Sequence, residues 1–233
     1  MKIIVANWKM NGGVDLADEF IEEINTITSP NTIVVCPPAV LISRFGNFSH
    51  RVGAQNCFCE ENGAFTGENS PKLLKEAGCK YVILGHSERR SIFCEDDELI
   101  FKKWKAAVAQ DLIPIVCIGE KIEDRDNWKE TISRQLDFFL DDCPLGDTIF
   151  AYEPVWSIGT GLIPTEEKIE TIFAFIKELL GDEAPLLYGG SVTSENAQRI
   201  LACQNVDGFL VGGASLKIDE FKKIVAFGAV FNH

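Results

Sequence analysis

Glu153 is the residue around which the chemistry of this chain can be read. It follows an apolar run, Ile149-Phe150-Ala151-Tyr152, that has the character of a buried strand, and it is followed at once by Pro154. Proline fixes its own φ and pushes the preceding residue out of helical geometry, so the carboxylate is expected at an extended strand end. Val155 and Trp156 come next, then Ser157-Ile158-Gly159-Thr160-Gly161, small and apolar with two glycines. A carboxylate at a strand's carboxyl end, before a stiff segment and then a pliable one, suits a base beneath a closing loop. The alternative is an ordinary βα loop with a solvated glutamate.

Other residues extend that chemistry. His86, one of three histidines with His50 and His233, ends another apolar run, and Ser87-Glu88-Arg89-Arg90 after it reads as a helical turn. An imidazole at a helix amino terminus feels positive potential, which disfavours its protonated form. It can then donate a hydrogen bond to a carbonyl and still exchange protons. Asn7 and Lys9 follow the first apolar run; Lys9 either reaches into a site, pairs with Glu88 or Glu120, or does both. Gly189-Gly190-Ser191 and Gly212-Gly213 let main-chain N–H groups approach an anion closely, although tight turns alone also call for glycine.

The elements that must position these residues are legible. Strand-like runs begin near residues 3, 32, 51, 80, 113, 148, 185 and 207, each short and continuously apolar, as for strands buried on both faces. Helical patterns lie between them. Leu16, Phe20, Ile21, Ile24 and Ile27 share one face, residues 96–108 and 216–227 are striped alike, and Thr165 before Glu166 and Glu167 makes a good helix start. Eight strands with helical crossovers and no Pro/Gly/Ser linker predict one α/β domain over residues 1–233, a closed (β/α)8 barrel. A doubly wound open sheet is the competing architecture, but Gly-x-Gly-x-x-Gly after the first strand is missing. In a barrel the strand ends converge on one mouth. There, glycines after strands seven and eight favour a phosphate site.

Composition limits the partners. With 22 Lys and Arg against 35 Asp and Glu, the formal net charge is −13, which argues against nucleic acid and anionic membranes. An anionic substrate must therefore be held by local donors. The amino-terminal apolar run is short for a signal sequence, and no stretch approaches the roughly 18 residues that span a bilayer. The eight cysteines (36, 57, 59, 79, 94, 117, 143 and 203) form no Cys-x-x-Cys pair. Cys57 and Cys59 stand close, but without a neighbouring histidine they do not read as a metal site. Reduced thiols in a cytoplasmic protein are expected.

Taken together, Asn7-Trp8-Lys9-Met10-Asn11, Gly63 to Glu68, Leu84 to Arg90, Cys117 to Glu120, Ala151 to Trp156, Ile158 to Gly161, Tyr188 to Val192 and Gly208 to Ser215 make the chain resemble the triosephosphate isomerase family from end to end. The resemblance implies the interconversion of dihydroxyacetone phosphate and D-glyceraldehyde 3-phosphate, in glycolysis and gluconeogenesis, without metal or organic cofactor. It implies that Glu153 is the base, His86 the electrophile and proton shuttle, Lys9 the stabiliser of the enediolate and Asn7 an aid in placing its oxygens. The phosphate would be held at Gly159, Ser191, Gly212 and Gly213, with Ile158 and Leu210 closing over Glu153. Residues 56–70, with Thr66 approaching the partner's site, would build a homodimer.

Two departures from the family pattern stand out. Ser157 replaces the usual alanine, and Leu162-Ile163-Pro164 replaces the usual Lys-Thr-Ala, giving an apolar far hinge stiffened by proline. A metal-dependent epimerase would need more histidines at the mouth. A catalytically dead barrel would have lost Lys9, His86 or Glu153, and all three are present.

Overall fold

A computed structural model describes residues 1–140 and 148–230; Cys143 and His233 lie outside them. Eight strands, β1 (Ile3–Asn7), β2 (Thr32–Cys36), β3 (Arg51–Ala54), β4 (Tyr81–Leu84), β5 (Ile113–Ile118), β6 (Ile149–Tyr152), β7 (Leu186–Tyr188) and β8 (Gly208–Val211), pair in sequence order. All are parallel, and β8 returns to β1, closing the expected barrel. Helices α1 (Val14–Asn25), α2 (Pro71–Glu76), α3 (Ser87–Ile92), α4 (Asp97–Ala109), α5 (Trp128–Leu140), α6 (Glu166–Leu180), α7 (Ala197–Leu201) and α8 (Ile218–Val230) lie in the crossovers. After β2 the chain makes 3₁₀ turns over Ala39–Asn47 instead of an α-helix. Helix starts are chemically marked: the side chains of Ser70, Asp96 and Thr165 accept main-chain N–H groups of Leu73, Leu99 and Lys168.

Two apolar layers follow from the alternation of strand side chains. Val5, Val34, Ile83, Ile115, Cys117, Ala151, Leu187 and Leu210 fill the barrel interior. Ile4, Ala6, Val82, Leu84, Phe150, Tyr152 and Phe209 face outward onto the helices. A Phe20, Phe45, Phe48 and Trp8 cluster packs there edge to face. The same alternation sends the residue two places beyond each interior side chain toward the carboxyl-end mouth.

Closure is tightest at Gly208, whose φ is +153°; a Cβ there would lie 1.8 Å from the Ile3 carbonyl oxygen. Gly208→Ala is expected to cost about 3 kcal/mol or more by adding strain and a backbone clash at the β1–β8 seam. Chemical denaturation compared with the parent chain checks this, and a loss below about 1 kcal/mol would contradict it.

Candidate active site

The alternation carries through the strand ends. Beyond Val5 come Asn7 and Lys9, beyond Cys117 comes Gly119, beyond Ala151 comes Glu153, and beyond Leu210 comes Gly212. One cavity of about 540 Å³ at this mouth is lined by Asn7, Lys9, His86, Glu153, Ile158, Gly159, Ser191, Leu210, Gly212 and Gly213. Every site residue expected from the sequence thus borders a single space. Thr66 does not line it and sits exposed on the long connection after β3.

Glu153 is buried, with 2% exposure. Its Oε1 lies 3.0 Å from His86 Nε2, and its Oε2 accepts the Ser87 N–H at 2.8 Å. Burial alone would push the carboxyl up. The His86 ring, the Ser87 N–H and the nearby Lys9 ammonium outweigh it and hold Glu153 below its ordinary value. Gly119 gives this strand end its room: its φ is +155°, and a Cβ would lie 1.8 Å from the Glu153 carbonyl oxygen. Gln135 fixes Gly119 by bonding both its N–H and its C=O.

His86 differs from its sequence expectation. The Glu88 N–H does donate to Nδ1 at 3.2 Å, so the expected helix-start contact forms and places the ring proton on Nε2. Burial disfavours the imidazolium, but the Glu153 carboxylate facing Nε2 prevails and raises His86 above 6.5. The charge across the ring, not the helix terminus, decides the sign. Any group that separates His86 from Glu153 removes the main raising influence and leaves burial, Lys9 and the Glu88 N–H favouring the neutral ring against the half-exposed Glu88 carboxylate 3.7 Å from Nδ1.

Lys9 adopts a left-handed backbone, with φ of +54°. Its N–H donates to Asn7 Oδ1 at 3.1 Å, and its carbonyl accepts from Gln55 Nε2 at 2.8 Å. The ammonium reaches Glu88 Oε1 at 2.6 Å beside Gly212, so of the two partners considered from sequence, Glu88 is the one used. Glu120 is engaged elsewhere. Buried at 1% exposure, it accepts from Tyr152 Oη and Trp156 Nε1, both at 3.0 Å. Burial raises its carboxyl pKa despite those donors. Gln55, Gln135 and this use of Glu120 were not read from the sequence, because amides and acids next to a strand end carry no signal of which backbone they will meet.

Four main-chain N–H groups border the cavity without a partner. Among the described residues, the N–H groups of Gly159, Ser191, Gly212 and Gly213 donate to no protein acceptor. Unspent donors around a cavity suit a small dianion that the overall charge would repel.

These shifts have a sign that can be checked. A folded-state value above 6.5 at His86 gives stability that is fully present below pH 6.5 and lost as pH rises through the folded value. The lowered Glu153 value gives stability present above its ordinary pKa and lost as pH falls through the folded one. Nitrogen-15 NMR should therefore place the His86 midpoint above 6.5, and Glu153→Gln should bring it down. A midpoint indifferent to that substitution would rule out the carboxylate as the cause.

Comparison with known proteins agrees with this geometry. The family model described as Triosephosphate isomerase matches residues 2–228. A triosephosphate isomerase of Thermodesulfovibrio yellowstonii is 45% identical, over 97% of this chain and 99% of its own. Those of Rhodopirellula baltica and Clostridium novyi are each 41% identical, over 96% and 97% of this chain and 96% and 98% of their own. A cavity bordered by a carboxylate, an imidazole, an ammonium and unspent amides thus sits in a chain that belongs to the triosephosphate isomerase family.

Proposed function

We propose that this chain, as one barrel domain over residues 1–233, interconverts dihydroxyacetone phosphate and D-glyceraldehyde 3-phosphate through an enediolate. The observation that carries this is the single cavity holding Glu153, His86, Lys9 and Asn7 at one side and four unspent main-chain N–H donors at the other. The phosphate is held by Gly159, Ser191, Gly212 and Gly213, and the three-carbon body then lies toward the side chains.

The His86–Glu153 contact of 3.0 Å leaves no room for a carbon between the groups. Substrate therefore parts them. Glu153, relieved of its partner and shut from water by Ile158 and Leu210, regains the basicity that burial confers. It takes a proton from C1 of the ketone, and the C–H electron pair forms the C1–C2 double bond as the carbonyl pair moves onto O2. His86, now neutral, donates Nε2–H to that oxygen and moves a proton between O1 and O2. Lys9 stabilises the negative charge, and Asn7 orients the oxygens. Returning the carbon-bound proton from Glu153 to C2 yields the aldehyde. Donors aimed at the developing oxyanion give the largest stabilisation, and the phosphate contacts supply the energy of closure.

The enzyme works as a homodimer in the cytoplasm, with residues 56–70 inserted into the partner and Thr66 near the partner's site. The segments after β1, β2, β3 and β4 leave Met10, Val40, Phe65, Ile92 and Phe93 exposed, which favours a shared apolar contact.

Glu153→Asp should fold normally and lose about a hundredfold in turnover, because withdrawing the carboxylate by about 1 Å misplaces the base. Turnover near that of the parent would dismiss Glu153 from this role. For His86→Gln, kcat should fall far more than KM rises; the reverse would make the ring a binding group. Sedimentation at assay concentration should give a dimer, and an active monomer would refute completion of the site by a partner.

A further inference from the structure

The two flanks of the loop over Glu153 meet in one contact. Ser157 is fully buried at the near flank of the loop over Glu153, and a buried hydroxyl is costly unless bonded. Its Oγ donates to the Leu162 carbonyl at 2.5 Å, on the far flank. Its own carbonyl accepts from Ser191 Oγ at 2.7 Å and from Thr160 Oγ1 at 3.0 Å. One residue is thus tied both to the other end of its loop and to the turn after β7.

Between the two flanks the other ties run through Thr160, whose Oγ1 also donates to the Trp156 carbonyl at 3.3 Å and accepts the Leu162 N–H at 3.2 Å. Gly159 and Gly161 have φ of +73° and +75°, with open space where a Cβ would stand, and Leu162 is exposed. Farther along, Pro164 has no N–H to donate.

We infer that Ser157 is a positioning residue: its hydroxyl cross-ties residues 157 and 162, so that Ile158 and the Gly159 N–H arrive over the substrate as one preset unit. The inference rests on the isomerase function proposed above. The hydroxyl matches the far hinge of this chain, where Pro164 stiffens the approach but contributes no donor. Without the tie, the far flank is joined to the near one through the exposed Thr160 side chain and main-chain turn alone, and the Gly159 N–H loosens from the phosphate while the enediolate is present. An enediolate so exposed breaks down. Its electron pair forms the C2–C3 double bond as the C3–O bond breaks, releasing inorganic phosphate and an enol that becomes methylglyoxal.

Ser157→Ala, assayed with glyceraldehyde 3-phosphate, tests this. We expect kcat/KM to fall about tenfold, the factor associated with one buried hydrogen bond, and phosphate released per isomerisation to rise about tenfold. With the enzyme-free release of phosphate subtracted, that ratio counts only active molecules, so partial unfolding of the variant does not alter it. A ratio equal to that of the parent chain would overturn the role of Ser157. Absence of isomerisation in the parent chain itself would instead overturn the proposed function.

Discussion

A carboxylate as thoroughly removed from water as Glu153 is tolerable only while donors and positive charge face it. The His86 ring on one oxygen and the Ser87 N–H on the other meet that demand, and much of the mouth is arranged to make the contact geometrically possible. Gly119 vacates the space beside the strand end, and Gln135 clamps Gly119 in turn. The same pairing holds the Glu153 carboxyl below its ordinary value and the His86 imidazole above its own. In the reaction proposed above, substrate parts the pair and removes both influences together.

Three glutamates near the mouth illustrate how environment, more than residue type, assigns a role. Glu88 is half exposed and holds the Lys9 ammonium. Glu120 is buried against two donors and holds Trp156 at the start of the loop. Glu153 is buried against an imidazole that can leave it. The acidic total of the chain obscures this division, since the net charge of −13 says only that an anion must be captured locally.

Much of the architecture was legible because parallel strands buried on both faces are written as short apolar runs, and each strand begins within one residue of its expected start. The connection after β2 was less legible, since its 3₁₀ turns carry no period that distinguishes them from a short α-helix. Glu120 could be placed near Lys9 from its position after β5, but not turned away from it. That choice was made by Tyr152 and Trp156, which come from β6 and its loop and meet Glu120 only after the barrel closes.

The chain by itself determined the alternation, the strand ends and the chemical types delivered there: Asn7 and Lys9 after β1, His86 after β4, Glu153 after β6, and glycines after β7 and β8. Covalent order and local backbone preference suffice for that, because each depends on neighbours within a few residues. Only the tertiary structure decided the direction in which the His86 pKa moves, the partner of Lys9, the anchoring by Glu120 and the tie between Ser157 and Leu162. Each is an energy between groups facing one another across the mouth or loop, where burial strengthens short contacts and a change of a few tenths of an ångström selects the partner.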